Sequence, residues 1–257
     1  MSKVRVIAVV NQKGGVGKTT TALCIATGLM NRGKKVLFVD VDPQRNSTQF
    51  YGAETDGVKT MYDFYMDKCS IKEAIQNTKM GDIVPCDKLL KGMEGFFTNG
   101  TNPYRNFIRL KKSLEEVKGD YDFIIIDTPP NLGYYMSTAL IASDKIIIPF
   151  LSDRFSVDGL SGILESIEEA KDINPNIKIG GAVVTGVRKN QKLDRDTIEN
   201  LPDDANALGF PYYHTYIRYS QTIRNTQAAG ESLFEKNSKC AAAQDYNNLI
   251  DEILKGE

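Results

Sequence analysis

Between the apolar run VIAVVN (Val6 to Asn11) and a segment of helical period stands KGGVGKTT, from Lys13 to Thr20. Gly14, Gly15 and Gly17 suit neither a strand nor a helix interior, so this stretch reads as a strand-to-helix junction with an unusually open backbone. Such a junction brings several backbone N–H groups together at a helix N-terminus, where the dipole favours an anion. Lys18 adds a point charge, and the Thr19 hydroxyl next to it has the chemistry of a Mg²⁺ ligand. The helix that follows, TTTALCIATGLMNRG, keeps its 3.6-residue period until Gly33 stops it. A phosphate-binding loop placed between a strand and a helix constrains the chain to an α/β architecture.

The remaining pattern agrees. Short β-branched runs near Val4 to Val10, Lys35 to Asp40, Asp122 to Asp127, Lys145 to Phe150 and Lys178 to Thr185 alternate with helix-sized segments, which signals a parallel sheet. VLFVD and FIIID are apolar throughout, as strands covered on both faces are. The expected fold is α/β: a doubly wound, mostly parallel sheet with helices on both faces. At 257 residues and 41% hydrophobic content, one domain spanning 1–257 is expected. Val157 to Ala170 places Val157, Leu160, Ile163, Leu164 and Ile167 on one helical face and Glu165, Glu168 and Glu169 on the other. Tyr51 to Asn106 has weaker periodicity, with turn residues in GAETDG and FFTNGTNP, and reads as a helical excursion within the domain.

Composition excludes several functions. A net charge of −1 leaves nucleic-acid binding to local basic clusters. Cys24, Cys69, Cys86 and Cys240 lack metal-ligand spacing and suit a reducing compartment. His214 is the only histidine, which argues against a His-rich metal site or a Ser-His-Asp mechanism. The chain enters a β-like run at Val4 with no signal-peptide pattern, and no apolar run approaches the roughly 18 residues of a membrane span. A soluble, cytoplasmic protein is expected.

Two further segments carry acids at strand ends. FVDVDPQ offers Asp40 and Asp42, which alternation directs to one face and which suit Mg²⁺ and water; FIIIDTPP ends in Asp127, an acid able to hold a metal-bound water opposite Thr19. Any one of these could be a helix cap, but with GKTT all three point to a triphosphate. The strict pattern GxxxxGK[ST] is not met, because Gln12 stands where it wants glycine. The dinucleotide fingerprint GxGxxG fits less well still: Thr20 occupies its third glycine, and Lys18 and Thr19 would have no role.

Through KGGVGKTT, VDVDPQRNST, DTPPNLG and FLSDRFSVDGLSGILESI, nearly the whole chain resembles the ParA/MinD family of P-loop ATPases with a deviant Walker A loop, and within it the compact ParA type often called Soj. The resemblance implies ATP and Mg²⁺ as ligands, bound by the loop residues Gly14, Gly15, Val16, Gly17, Lys18, Thr19 and Thr20. It implies that Thr19 holds Mg²⁺, that Asp40 and Asp127 support the metal through water, that Asp42 orients the attacking water, and that Arg218 contacts the nucleotide. Lys13 is implied to cross an ATP-dependent homodimer and reach the partner's phosphates, as an arginine finger does elsewhere. The ATP dimer is then expected to bind DNA without sequence preference, to associate with the nucleoid, and to be released by a ParB-like stimulating protein. Arg188, Lys189, Lys192 and Arg195, together with Arg218 and Arg224, are the candidate DNA phosphate contacts, with Asp194 and Asp196 diluting the first group.

Two readings stay open beside DNA partition. A relative of the same type could position a protein cargo with the same site residues. A MinD-like membrane ATPase would use the C-terminal stripe Tyr246, Leu249, Ile250, Ile253 and Leu254, yet Asp251, Glu252 and Glu257 make that helix net negative, which disfavours anionic lipid and favours packing on the core. An Fe–S reductase of the nitrogenase iron-protein type would need cysteines that do not follow Asp127 until Cys240.

Overall fold

The structure, a computed structural model, describes residues 5–99, 102–152 and 157–255. In chain order its elements are β1 (Arg5–Val9), α1 (Lys18–Met30), β2 (Val36–Asp40), α2 (Asn46–Tyr51), α3 (Met61–Tyr65), β3 (Gln76–Thr78), β4 (Gly81–Val84), α4 (Glu94–Thr98), α5 (Pro103–Glu115), β5 (Phe123–Asp127), α6 (Tyr134–Ala142), β6 (Lys145–Leu151), α7 (Val157–Lys171), β7 (Lys178–Thr185), α8 (Lys192–Leu208), α9 (Gln221–Ala228), α10 (Leu233–Asn237) and α11 (Ala241–Lys255). They build one seven-stranded sheet in the order β3-β4-β2-β5-β1-β6-β7. Every pairing is parallel except that of β3 with β4 at the edge.

Strands that are apolar at every position feed two cores at once, because successive side chains leave opposite faces. Val6, Ala8, Ile124, Ile126, Ile146 and Ile148 point into one core, which α5, α6 and α7 cover with Leu110, Leu114, Tyr135, Ile163 and Ile167. Ile7, Val9, Phe123, Ile125 and Ile147 point into the other, which α1 and α11 cover with Ile25, Leu29, Leu249 and Ile250. The C-terminal stripe belongs to this second core: Tyr246, Leu249, Ile250 and Ile253 are buried and Leu254 packs against them. In α7, Ile163 and Ile167 are buried while Glu165, Glu168 and Glu169 are exposed, as the helical period requires; the side chains of Val157 and Leu160 fall outside the described set, as do residues 153–156 of the second switch segment.

The expectation of a purely helical excursion between Tyr51 and Asn106 is corrected here. Short helices are present, but Gln76–Thr78 and Gly81–Val84 form a hairpin whose second strand extends the parallel sheet beside β2. Only Ile83 and Val84 of these strands are buried, so neither gives the long apolar run that marked the other five. Pairing partners decide these residues, and local pattern does not.

Where α1 crosses α11, Gly28 permits the contact: a Cβ built there would lie 2.4 Å from Ile250 Cδ1 and 2.9 Å from Phe234 Cζ. Gly28→Val should therefore lower the unfolding free energy by about 1–3 kcal/mol through overpacking, read as a reduced urea midpoint; an unchanged midpoint would show that the crossing has slack.

Candidate functional site

The carboxyl ends of β1, β2 and β5 meet because β5 pairs with both neighbours, and register sets Asp40 beside Asp127 and Val9 beside Asp127. The loop after β1 turns with positive φ at Gly15 (73°) and Gly17 (87°), a conformation glycine adopts without strain. It is braced from three directions. Asn11 Nδ2 donates to the Pro149 carbonyl at 2.8 Å, Asn11 Oδ1 accepts the Lys13 N–H at 2.9 Å, and the Thr185 hydroxyl, at the end of β7, donates to the Val16 carbonyl at 2.9 Å. A cavity of about 320 Å³ lies over the loop, lined by Gly14, Gly15, Gly17, Lys18, Thr19 and Thr20 on one side and by Asp42, Gln44, Asn46 and Pro130 on the other. Val16 is buried beneath it.

Lys18 is buried, and its ammonium donates to the Lys13 carbonyl at 2.8 Å. Burial pulls its pKa down, and the carboxylates of Asp127 and Asp42 oppose that. Asp42 is pushed up by burial and held back by the Gln44 N–H, which donates to Oδ1 at 2.9 Å, and by Lys18. Asp40 and Asp127 are both fully buried; burial raises each, and Asp127 adds its repulsion to Asp40. Asp40 has both oxygens engaged: Oδ1 accepts the Asp42 N–H at 3.0 Å, and Oδ2 accepts the Thr48 N–H at 2.9 Å and the Thr48 hydroxyl at 2.7 Å. Asp127 Oδ2 accepts the Ser47 hydroxyl at 2.7 Å, while Oδ1 is buried with no hydrogen-bond partner. The three donors to Asp40, and the Ser47 and Thr19 hydroxyls with Lys18 at Asp127, oppose the rise that burial causes without cancelling it, so the two acids titrate as one raised pair.

That orphaned oxygen tests whether the site suits a cation. A buried carboxylate oxygen without a partner is costly, and a divalent ion between it and the nearby Thr19 hydroxyl would remove the cost. Among the described residues no three metal-ligating acids, histidines or cysteines cluster, so the protein offers no complete cage. This fits Mg²⁺, which is commonly held by one or two protein oxygens plus phosphate and water. Asp40, expected to support the metal through water, has its oxygens committed to Asp42 and Thr48, and braces the segment that carries Asp42.

The basic residues converge more than their spacing suggests. The Arg188 guanidinium lies 4.0 Å from the Tyr219 ring centroid and that of Arg224 5.5 Å from the same ring, while Lys189 Nζ stands 5.7 Å from the Tyr216 ring. Tyr219 is itself exposed. Lys192 and Arg195 are exposed at the start of α8, and Arg195 Nη1 donates to the Lys189 carbonyl at 3.2 Å. Asp194 does not dilute the group, because it is buried and accepts from the Ser152 hydroxyl and the Arg188 N–H. Arg218, expected at the nucleotide and among the DNA contacts, is paired within the fold. Its guanidinium is committed to the carboxylate of Asp245, at 2.6 Å from Nη2 to Oδ1 and 2.9 Å from Nε to Oδ2, with Nη2 also on the Ala241 carbonyl at 3.0 Å, so it ties the β7-side loop to α11.

Sequence reasoning missed Ser47, Thr48 and Thr185, hydroxyls that satisfy the loop and the buried acids. Each follows an apolar strand or a segment already singled out, but nothing periodic marks it.

The family model described as "AAA domain" matches residues 4–179. The chromosome partitioning protein ParA of Caulobacter vibrioides is 32% identical over 260 residues, covering 98% of this chain and 95% of its own. The sporulation initiation inhibitor protein Soj of Bacillus subtilis is 32% identical over 253 residues, covering 97% and 98%. This chain belongs to the ParA/Soj family of P-loop ATPases. Among solved structures, the cobyrinic acid a,c-diamide synthase of Mycobacterium smegmatis, with bound ADP and magnesium, superposes with a TM-score of 0.82 at 29% identity, covering 98% of this chain and 94% of that one. A plasmid partition protein of Borrelia burgdorferi bound to AMPPNP shares the fold with a TM-score of 0.82 at 24% identity, covering 99% and 100%. The seven-stranded sheet and its helices thus share the fold of both structures.

The raised carboxylate pair gives a signed pH dependence. Folded, the pair holds a proton at pH values where unfolded aspartates, near pKa 3.9, have lost theirs, so above about pH 4 the folded state binds more protons and stability falls as pH rises. Without divalent cation, the unfolding free energy should drop by up to about 1.4 kcal/mol per pH unit toward the raised folded value, and Mg²⁺ with nucleotide should flatten the slope. Urea unfolding between pH 5 and 8 reads it; a slope unchanged by Asp127→Asn would assign it elsewhere.

Proposed function

We propose that this chain is an ATP-hydrolysing partition switch, in which two ATP-bound protomers pair, bind DNA without sequence preference, and separate when a ParB-like partner stimulates hydrolysis. What carries the reading is the convergence of Lys18, Thr19 and Asp42 on one cavity, with Asp127 buried beside Lys18 and Thr19 at the end of a third strand, in a chain of this family. Lys18 neutralises the β- and γ-phosphates, and the Gly14 to Thr20 backbone holds the phosphate oxygens. Thr19 and Asp127 Oδ1 are the groups that would hold Mg²⁺, which when bound would supply charge neutralisation at the phosphates. Asp42 lines the cavity opposite the loop and orients water toward the terminal phosphate.

Lys13 completes the partner's site. It is not among the residues lining its own protomer's cavity, and its main chain is fixed by Asn11 and Lys18. A lysine delivered across the interface places charge where it develops in the transition state. Asp42→Ala should bind ATP and dimerise while kcat falls by about 10² or more; normal turnover would remove Asp42 from this role. Lys13→Ala should keep nucleotide binding but sediment as a monomer with Mg²⁺ and a non-hydrolysable analogue, where the unaltered chain sediments as a dimer.

The DNA surface is the patch of Arg188, Lys189, Lys192, Arg195 and Arg224 around Tyr219, doubled by pairing, and it gives the ATP state its place on the nucleoid. With six to ten phosphate contacts, affinity should fall by about 10³–10⁵ between 50 and 200 mM salt. Binding should require ATP, and Arg188→Ala with Arg224→Ala should weaken it for all duplex sequences alike. Equal retention with ATP, ADP and no nucleotide would exclude a DNA-carrying switch and favour a protein cargo.

A further inference from the structure

A second cavity, of about 410 Å³, adjoins the phosphate pocket and shares Thr19, Thr20 and Asn46 with it. Gln49 and Phe50 of α2 and Gln227 of α9 help to close it. Gln227 reaches Thr20 across 207 positions of sequence: the Thr20 hydroxyl donates to Gln227 Oε1 at 3.1 Å. The other end of the same amide, Nε2, is buried and has no hydrogen-bond partner. The end of α9 is held in place, since Ile223 and Thr226 are buried and a Cβ on Gly230 would lie 3.4 Å from the Phe50 carbonyl oxygen. The amide therefore sits at a fixed distance from the loop.

This arrangement has one donor too many and one proton in the wrong place. A threonine hydroxyl carries a single proton, and here it is given to Gln227 although Thr20 also lines the phosphate pocket. Reversing the amide reverses both defects. Nε2–H would donate to Thr20 Oγ1, and the Thr20 proton would be released to a phosphate oxygen. The buried atom left over would be a carbonyl oxygen, which proteins tolerate better than an orphaned N–H. We infer that Gln227 is a positioning residue for the phosphate loop, whose side-chain amide donates to Thr20 Oγ1 and so aims the Thr20 hydroxyl at the phosphate. The inference rests on the ATP reading above.

Titration of the full chain with a fluorescent ADP analogue and with AMPPNP, each with Mg²⁺, tests it in the unaltered protein, Gln227→Leu, Gln227→Glu, Thr20→Val and the Thr20→Val/Gln227→Leu double variant. Gln227→Leu should weaken nucleotide binding about tenfold, the worth of one charge-assisted hydrogen bond, raising KM with little change in kcat. Without nucleotide its urea midpoint should hold or rise, because the orphan is gone; a residue that merely supported the fold would lower it. The double variant should bind no more weakly than Thr20→Val. Gln227→Glu should bind weakly at pH 8 and recover relative to the unaltered protein toward pH 5, where a protonated carboxyl can again donate to Thr20. If Gln227→Leu does not fold, Gln227→Met, similar in length, gives the same reading. Unaltered affinity in Gln227→Leu, or additive losses in the double variant, would overturn the inference while leaving ATP binding intact. Failure of the unaltered chain to bind either nucleotide would overturn the ATP reading and this inference with it.

Discussion

Two carboxylates at the ends of adjacent parallel strands, Asp40 and Asp127, are buried side by side, and much of the site exists to make that possible. A buried charge persists only when hydrogen bonds or an opposite charge compensate it. Asp40 is compensated by Thr48 and by the backbone of Asp42, which ties α2 and the Asp42 turn to the end of β2. Thr48 then spends its oxygen on the Cys86 N–H at 2.9 Å, joining the strand end to the segment after β4. Asp127 has Ser47 on one oxygen and nothing on the other. The asymmetry is functional in kind: one acid is fully used as a brace, and its neighbour keeps one oxygen available.

Lys18 is the counterpart. Buried with Asp127 and Asp42 as its opposing charges, it is stable there only while those carboxylates are present, and they in turn gain from its charge. A network of this kind is worth more than its pairs, and loses more when one member is removed. Lys18 thereby links the loop to the Asp42 turn and the end of β5, the kind of preorganisation a phosphoryl-transfer site requires.

The sequence made legible what the sheet requires and left obscure what only tertiary contact requires. Five strands could be read because each is a long apolar run buried on both faces; β3 and β4 could not, since only Ile83 and Val84 are buried in them. The acids at strand ends and the glycine loop were readable because their chemistry is tied to a spacing. Ser47, Thr48, Thr185 and Gln227 were not, because a hydroxyl or amide in a short helix or at a strand end looks the same whether it faces water or a buried acid. Charge counting does not see side-chain partners: Asp194 is turned inward, and the Arg218 guanidinium is held by Asp245. A formal charge acts on a ligand only if its side chain is free to do so, and partners 27 residues away decide that.

One helix connects the two parts of the molecule that the proposed cycle must coordinate. α9 carries Gln227, bonded to Thr20 in the phosphate loop, and one turn earlier Arg224, whose guanidinium faces the Tyr219 ring that Arg188 also covers. Residues three apart on a helix lie on neighbouring faces and move together, so any shift of α9 produced at Thr20 reaches the basic patch without an intervening hinge. Just beyond that helix, Gly230 passes so close to α2 that a Cβ on it would lie 3.4 Å from the Phe50 carbonyl oxygen, and α2 is the element that satisfies Asp40 and Asp127. The phosphate loop, the helix that satisfies the buried acids and the basic surface thus all lie next to α9. A nucleotide that changes the Thr20 contact would act on the patch through α9 within one protomer, and pairing of two protomers would add charge to a surface already set by the loop.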